Sequence, residues 1–249
     1  MTQFTLPRRG ALLGATGLVA SSAFTPAHAA PEGPWAVELF TSQGCSACPP
    51  ADKMLGRLAG RADIVALSFH VTYWDYIGWK DPFASAAATE RQRAYAQSLN
   101  QRYVYTPEMV FDGQAHETGT RSGDVDRMIA RMRSAQTPRA TPKLERGDDG
   151  ALVIRLDAAK IEKPAEVTFA VYDRRHSTPV RRGENGGATL ENFNVVRRLE
   201  KVASWNGREA TFSIAADRFA PGQGVAVLVQ AADHGAILGC NKLETPVAG

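Results

Sequence analysis

The chain has 249 residues with 29 basic and 26 acidic side chains, a net charge of +3 that argues against a nucleic-acid or membrane-surface partner. Hydrophobic residues make up 44% and charged residues 22%, the balance of an ordinary globular protein long enough to bury real cores without staples. Three cysteines are too few for a disulfide-stapled scaffold, so they are read for their chemistry before their structural use. The sequence carries no internal repeat, low-complexity tract or phosphate-binding glycine loop.

In chain order, Arg8-Arg9 precedes a mildly apolar stretch from Ala11 to Ala20 and then Ala27-His28-Ala29, a small-x-small cleavage site. This reads as a bacterial export signal over residues 1–29. The paired arginines resemble a twin-arginine signal, although Pro7 and Ala11 stand where that motif usually has Ser/Thr and Phe; the general secretory route is the other reading. The stretch falls short of the ~20 residues of a spanning helix, so no membrane span is expected in the mature chain. Cleavage would leave 27 basic against 26 acidic side chains. The expected location is the periplasm or the medium.

Residues Trp35 to Thr41 read as a strand by alternation, and the strand runs directly into Gly44-Cys45-Ser46-Ala47-Cys48-Pro49-Pro50. A helix beginning near Cys45 would aim unpaired N–H groups and its positive dipole end at the first sulfur, favouring the thiolate. Cys45 is then the nucleophile and Cys48 the resolving thiol. Pro49 and Pro50 suit a first helical turn, where a missing N–H leaves no partner unpaired.

Met54, Leu55 and Leu58 keep helical spacing, and Ile64 to Phe69 is a strand with almost no polar interruption, which completes a βαβ unit. Asp81-Pro82 is read as the start of a helix reaching about Asn100, with Ala84, Ala88, Tyr95 and Leu99 on its apolar stripe and Arg91 elsewhere. A strand entered at Thr106-Pro107 and left through Asp112-Gly113 follows. Ala115 to Thr118 would pair back on it, and Ser122 would cap a last helix.

That order resembles the thioredoxin fold. The resemblance implies that Thr106-Pro107 is a cis peptide facing the sulfurs, with Thr106 offering its backbone to an incoming extended segment; a trans proline opening an edge strand is the other reading. More narrowly, the runs Glu38 to Asp52, Phe69 to Phe83 and Tyr105-Thr106-Pro107 resemble a family of exported bacterial proteins known as domain of unknown function 1223. The resemblance covers nearly the whole mature chain and implies a thioredoxin-like domain with an appended C-terminal region. Thr72, where an acid is expected, and the extra Cys240 are departures.

Other side chains offer two readings each. His70, Tyr73, Trp74, Asp75, Tyr76 and Trp79 follow the second strand, at the end of an open α/β sheet where ligands collect. They would form a lip beside the dithiol, with Trp74 and Tyr76 in a substrate groove and His70 in proton transfer, or else pack the loop down. Glu38 could be a buried acid shuttling protons from Cys48 or an exposed strand carboxylate. Asp52 reads first as a favourable charge on the helix dipole, with proton transfer as the other reading. Cys240, in an apolar context, reads as a buried inert thiol.

Residues 135–142, with Thr137-Pro138 and Thr141-Pro142, read as a linker. Beyond it the apolar period becomes two, as in Leu152, Ile154, Leu156 and Val225, Val227, Val229, which predicts an antiparallel β-sandwich. Arg181 to Asn185 and Arg197-Arg198 could bind something acidic or be solvated strand faces. The expected architecture is an α/β thioredoxin-like domain over 30–140 followed by an all-β antiparallel sandwich domain over 141–249. The expected function is thiol–disulfide exchange through Cys45 and Cys48, with protein thiols or disulfides or a redox partner of the cell envelope as partners and no cofactor beyond the disulfide. The rivals are copper held by Cys45, Cys48 and His70 or Met54, and a binding module with a structural disulfide.

Overall fold

A strand as apolar as residues 64–70 cannot lie at the edge of a sheet with one face in water. The computed structural model, which describes residues 1–2, 33–135 and 139–244, buries all seven residues of this strand, β2 (Ile64–His70). On one side it pairs in parallel with β1 (Trp35–Thr41), from Trp35 opposite Ile64 to Thr41 opposite His70. On its other side stands β8 (Thr189–Trp205), the second arm of a long hairpin with β7 (Ala165–Pro179); Ser68 lies opposite Val195 in a parallel pairing, and Asn194 Nδ2 donates to Ala66 O at 2.8 Å.

The sheet therefore does not stop between the two halves of the chain. Beyond β1 come β3 (Glu108–Phe111) and β4 (Ala115–Glu117), both antiparallel; beyond β7 come β10 (Gly224–Ala231) and β11 (Ile237–Glu244), also antiparallel. The eight strands run in the order β11-β10-β7-β8-β2-β1-β3-β4. A three-stranded sheet of β5 (Lys143–Arg146), β6 (Leu152–Leu156) and β9 (Ala210–Ile214) completes the described strands.

This corrects the expectation of a thioredoxin-like α/β domain followed by a separate antiparallel sandwich. The described chain is mostly β, built on one mixed sheet that both halves supply. One core is shared across it: Phe40, Leu67, Phe69 and Tyr95 pack with Ala170, Tyr172, Leu228 and Cys240. The period-two pattern was nonetheless informative, because Val167, Phe169, Val225, Val227 and Val229 bury the opposite faces of β7 and β10 against Leu152, Ile154 and Leu156 of the smaller sheet. What alternation could not reveal is that the other face of the same strands joins the first core.

Among the described residues, three α-helices cover the sheet. Helix α1 (Pro49–Ala59) and helix α3 (Ser122–Ser134) pack on the face of β1 that presents Val37 and Leu39. Helix α2 (Ala86–Ser98) lies on the other face, and it starts five residues after the predicted Asp81. Ser85 is the cap, its hydroxyl accepting from Ala88 N at 3.1 Å, because Asp81 is engaged elsewhere. The α2 stripe is also more polar than predicted. Arg91 and Gln92 are buried on it, since Glu38 and Glu108 project from the sheet beneath and need partners. The proposed export signal and Thr137-Pro138 lie outside the described residues. No helix among the described residues is long and apolar enough to cross a membrane.

Candidate functional site

Pro49 and Pro50 occupy the first turn of α1, with Cys48 at the N-cap. The helix thus begins at Pro49, and Cys45 sits in the turn before it, where its N–H donates to Ser42 O and its carbonyl accepts from Cys48 N. Cys45 and Cys48 form a disulfide with Cα atoms 5.5 Å apart, within the range a bridge requires. Both cysteines are buried, while Ser46 and Ala47 between them are exposed. Gly44 lets the turn pack closely on the aromatic segment: a Cβ on it would lie 3.1 Å from Trp74 Cβ and 3.2 Å from Trp74 O, a tight contact.

The Thr106–Pro107 peptide is cis, and Thr106 O lies 3.8 Å from Cys45 Sγ. Trp74 ties this loop to the aromatic segment by donating from Nε1 to Thr106 Oγ1 at 2.7 Å. Below Pro107, Gln92 Nε2 donates both to Tyr105 O and to the buried Glu108 carboxylate, while Tyr73 OH donates to Gln92 Oε1. Burial raises the Glu108 carboxyl above its ordinary range, against the pull of these amides. Tyr76, in contrast, is 80% exposed.

His70 and Glu38 are both buried but serve different neighbourhoods. His70 Nδ1 bonds Asp81 Oδ2 at 2.7 Å, and Asp81 also accepts from Gln43 N at 2.8 Å and Phe83 N at 2.9 Å. Burial would raise the Asp81 carboxyl, but His70 and these amides hold it below its ordinary value. The sequence placed Asp81 at a helix start; its work is to fix the segment that leads into Cys45. Glu38 points to the α2 face, away from α1. Its carboxylate pairs with Arg91 at 2.8 and 3.0 Å and accepts from Tyr95 OH, so the structure does not bring it to the sulfurs.

Asp52 is a buried acid on α1, the helix that the cysteines lead into. It lies one helical turn beyond Cys48, and its N–H donates to Cys48 O at 3.1 Å. Burial pushes its carboxyl up to about 7, against the pull of His70 and of the polar ends of Thr41 and Asn192. His70 Nε2 is buried and has no hydrogen-bond partner among the described residues. The spacing of Asp52 from Cys48 was visible in the sequence, but a first-turn Asp is ordinarily a solvated charge on the helix dipole. Nothing local announces that α1 lies under the β8 arm, where the Phe193 ring leaves room only for Gly56.

The second half of the chain also reaches the cysteines, and the sequence did not disclose this. At the tip of the β7–β8 hairpin, Asn185 Nδ2 donates to Gln43 O at 2.9 Å and to Cys45 O at 3.0 Å. Glu184 Oε2 accepts from Ser46 N at 3.2 Å. Gly183, at φ +76°, approaches Trp79 and Ile77 O, so the tip is seated on the aromatic segment as well. Gln43 completes the join, donating to Asn192 Oδ1 and accepting from Trp79 Nε1. Trp79 is thus a tie between segments.

Cys240 is free and fully buried on β11, its Sγ 3.2 Å from Pro34 O; burial pushes its thiol far up. No group of three or more His, Cys, Asp or Glu side chains among the described residues is arranged to hold a metal ion. In particular, His70 turns its Nδ1 to Asp81.

Sheet and site together define a mixed-sheet protein with a buried C-x-x-C disulfide held between a cis-proline loop and a hairpin tip. The chain belongs to the family described as "Protein of unknown function (DUF1223)", whose profile matches residues 36–230. It is similar to the crystal structure of protein AGR_C_4864 from Agrobacterium tumefaciens, with 32% identity and a TM-score of 0.77 over 89% of this chain and 98% of that one. No curated protein matches it.

Proposed function

We propose that the protein is a thiol–disulfide exchange protein of the bacterial cell envelope, acting on protein dithiols or disulfides through Cys45 and Cys48. The observation that carries this reading is the approach of Thr106 O to Cys45 Sγ at 3.8 Å, which sets a partly exposed stretch of backbone next to the disulfide. An extended partner chain laid along that stretch brings its own sulfur to Cys45. The exposed Tyr76 ring and the partly exposed Trp74 give that chain an apolar flank.

Exchange runs in two balanced steps. A thiolate of a partner dithiol attacks Cys45 Sγ, forming the mixed disulfide and breaking the Cys45–Cys48 bond, and Cys48 leaves as a thiolate that takes up a proton. The partner's second thiolate then attacks its own sulfur in the mixed disulfide, closing the partner disulfide and releasing Cys45. Two electrons and two protons have passed from partner to protein. The reverse sequence reduces a partner disulfide, with Cys48 as the resolving thiolate. Asp52 supplies and accepts the Cys48 proton; an acid half-ionised near pH 7, sealed one turn from that thiol, suits the task.

The reading is tested by equilibrating the protein in glutathione redox buffers and by following its turnover of a disulfide-linked peptide. Expected are a potential in the range of exchange proteins, about −270 to −120 mV, and turnover abolished by Cys45→Ser. A potential below about −300 mV without turnover makes the disulfide structural and ends the proposal.

A further inference from the structure

In a C-x-x-C turn the amides that follow the first cysteine are the groups able to donate to its thiolate once the disulfide opens, as at any helix entrance. Here one of them, Ser46 N, is already occupied by a carboxylate from the far half of the chain. We infer that Glu184 is a redox-tuning residue, which takes the Ser46 N–H from the Cys45 thiolate, sets a negative charge beside it, and so biases the pair toward the disulfide. This inference rests on the exchange reading above and adds the control of its equilibrium to it.

The placement is built, since Asn185 clamps Gln43 O and Cys45 O on the same turn while Gly183 is seated against Trp79 and Ile77. With its neighbours anchored on both sides, Glu184 is held at the turn although its side chain is exposed. Several other charged groups belong to the elements around the dithiol. These are Asp52 on α1, His70 at the end of β2, Asp81 in the loop after it, and Arg181 and Arg182 in the hairpin loop. Asp81 binds Gln43 N, ahead of the cysteines. Glu184 is the carboxylate bonded to an amide between them.

The sign follows from the half-reaction, in which the disulfide gains two electrons and two protons. A carboxylate near Cys45 disfavours its thiolate, raises its pKa and leaves the reduced form less stable, which lowers the potential. Glu184→Gln keeps the size and shape while removing the charge. In the full chain it is expected to lower the Cys45 pKa, read by the pH dependence of iodoacetamide labelling. It should also raise the equilibrium constant for reduction by glutathione about three- to tenfold, which is about 14 to 30 mV for a two-electron couple. Because the carboxylate is exposed, the difference between wild type and variant should shrink in 1 M salt. Asn185→Ala, which removes an anchor of the Glu184 segment with no change of charge, should shift the Cys45 pKa in the same direction but by less. An unchanged or raised Cys45 pKa in Glu184→Gln, or a shift insensitive to salt, overturns the inference. These readouts need no partner turnover, so a protein that fails to turn over a disulfide peptide would end the exchange reading while the tuning by Glu184 is still decided.

Discussion

Asn185 donates from its side-chain amide to the backbone carbonyl of Cys45 at 3.0 Å, across a sequence separation of 140 residues. The same Nδ2 reaches Gln43 O, so one side chain of the β7–β8 hairpin holds the turn that carries the disulfide. Asn185→Ala leaves two carbonyls without this donor and should cost about 1 kcal/mol by denaturant unfolding. It should also speed iodoacetamide labelling of Cys45 in the reduced protein, because the turn that hides this sulfur is less tightly held.

The raised Asp52 carboxyl gives a pH signature with a definite sign. The folded protein keeps a proton up to about pH 7 that the unfolded chain releases near its ordinary value of 3.8. Stability should therefore fall as pH rises from about 4 to about 7 and level off above that, by about 2 to 4 kcal/mol from this group. Asp52→Asn should remove the fall and be the more stable protein at pH 8. In exchange assays the same variant should lose the limb of the pH–rate profile near pH 7. Unfolding curves from pH 4 to 8 that superimpose for the two proteins would contradict the assignment.

Glu38 and Arg91 form a buried ion pair on the face of the sheet away from α1. Arg91→Met alone strands the carboxylate and should cost about 3 to 5 kcal/mol, while the double change Glu38→Leu with Arg91→Met should recover most of it. Exchange rates of the folded double variant should stay within about twofold of wild type, since the pair does not touch the cysteines.

Continuity of the sheet through β2 and β8 predicts a single cooperative unfolding transition. Gly56→Ala probes the join directly, because its Cβ would fall 2.6 Å from the Phe193 ring on β8. A cost of about 1 to 3 kcal/mol is expected, seen equally by tryptophan fluorescence and by far-ultraviolet circular dichroism. Two transitions, one of them unaffected, would separate the halves after all.

Much of the local structure was legible. Strand β1, the prolines of the first turn, the buried run of β2 and the Thr106-Pro107 segment are local signals of period, turn chemistry and spacing. What escaped is what depends on partners far away. Arg91 looked like a solvent-facing helical residue because its carboxylate lies 53 positions upstream. Glu184 and Asn185 read only as part of an acid-binding or solvated strand face, since the donor that reaches Glu184 and the acceptors that Asn185 reaches are backbone groups of another segment. The join itself left one trace, a β2 too apolar on both faces to be an edge. Alternation in β7 and β8 spoke of strands, but carries no address for the strand they pair with.

The proposed exchange has Cys45 attack and Cys48 resolve. Its most direct test is a mixed-disulfide trap, in which each reduced single-cysteine variant is mixed with a disulfide-linked peptide, quenched with acid and mapped by mass spectrometry. Cys48→Ser should accumulate a peptide adduct on Cys45, because no resolving thiol remains, while Cys45→Ser should accumulate little or none. An adduct that forms on Cys48 as fast as on Cys45, or on neither, would contradict the account.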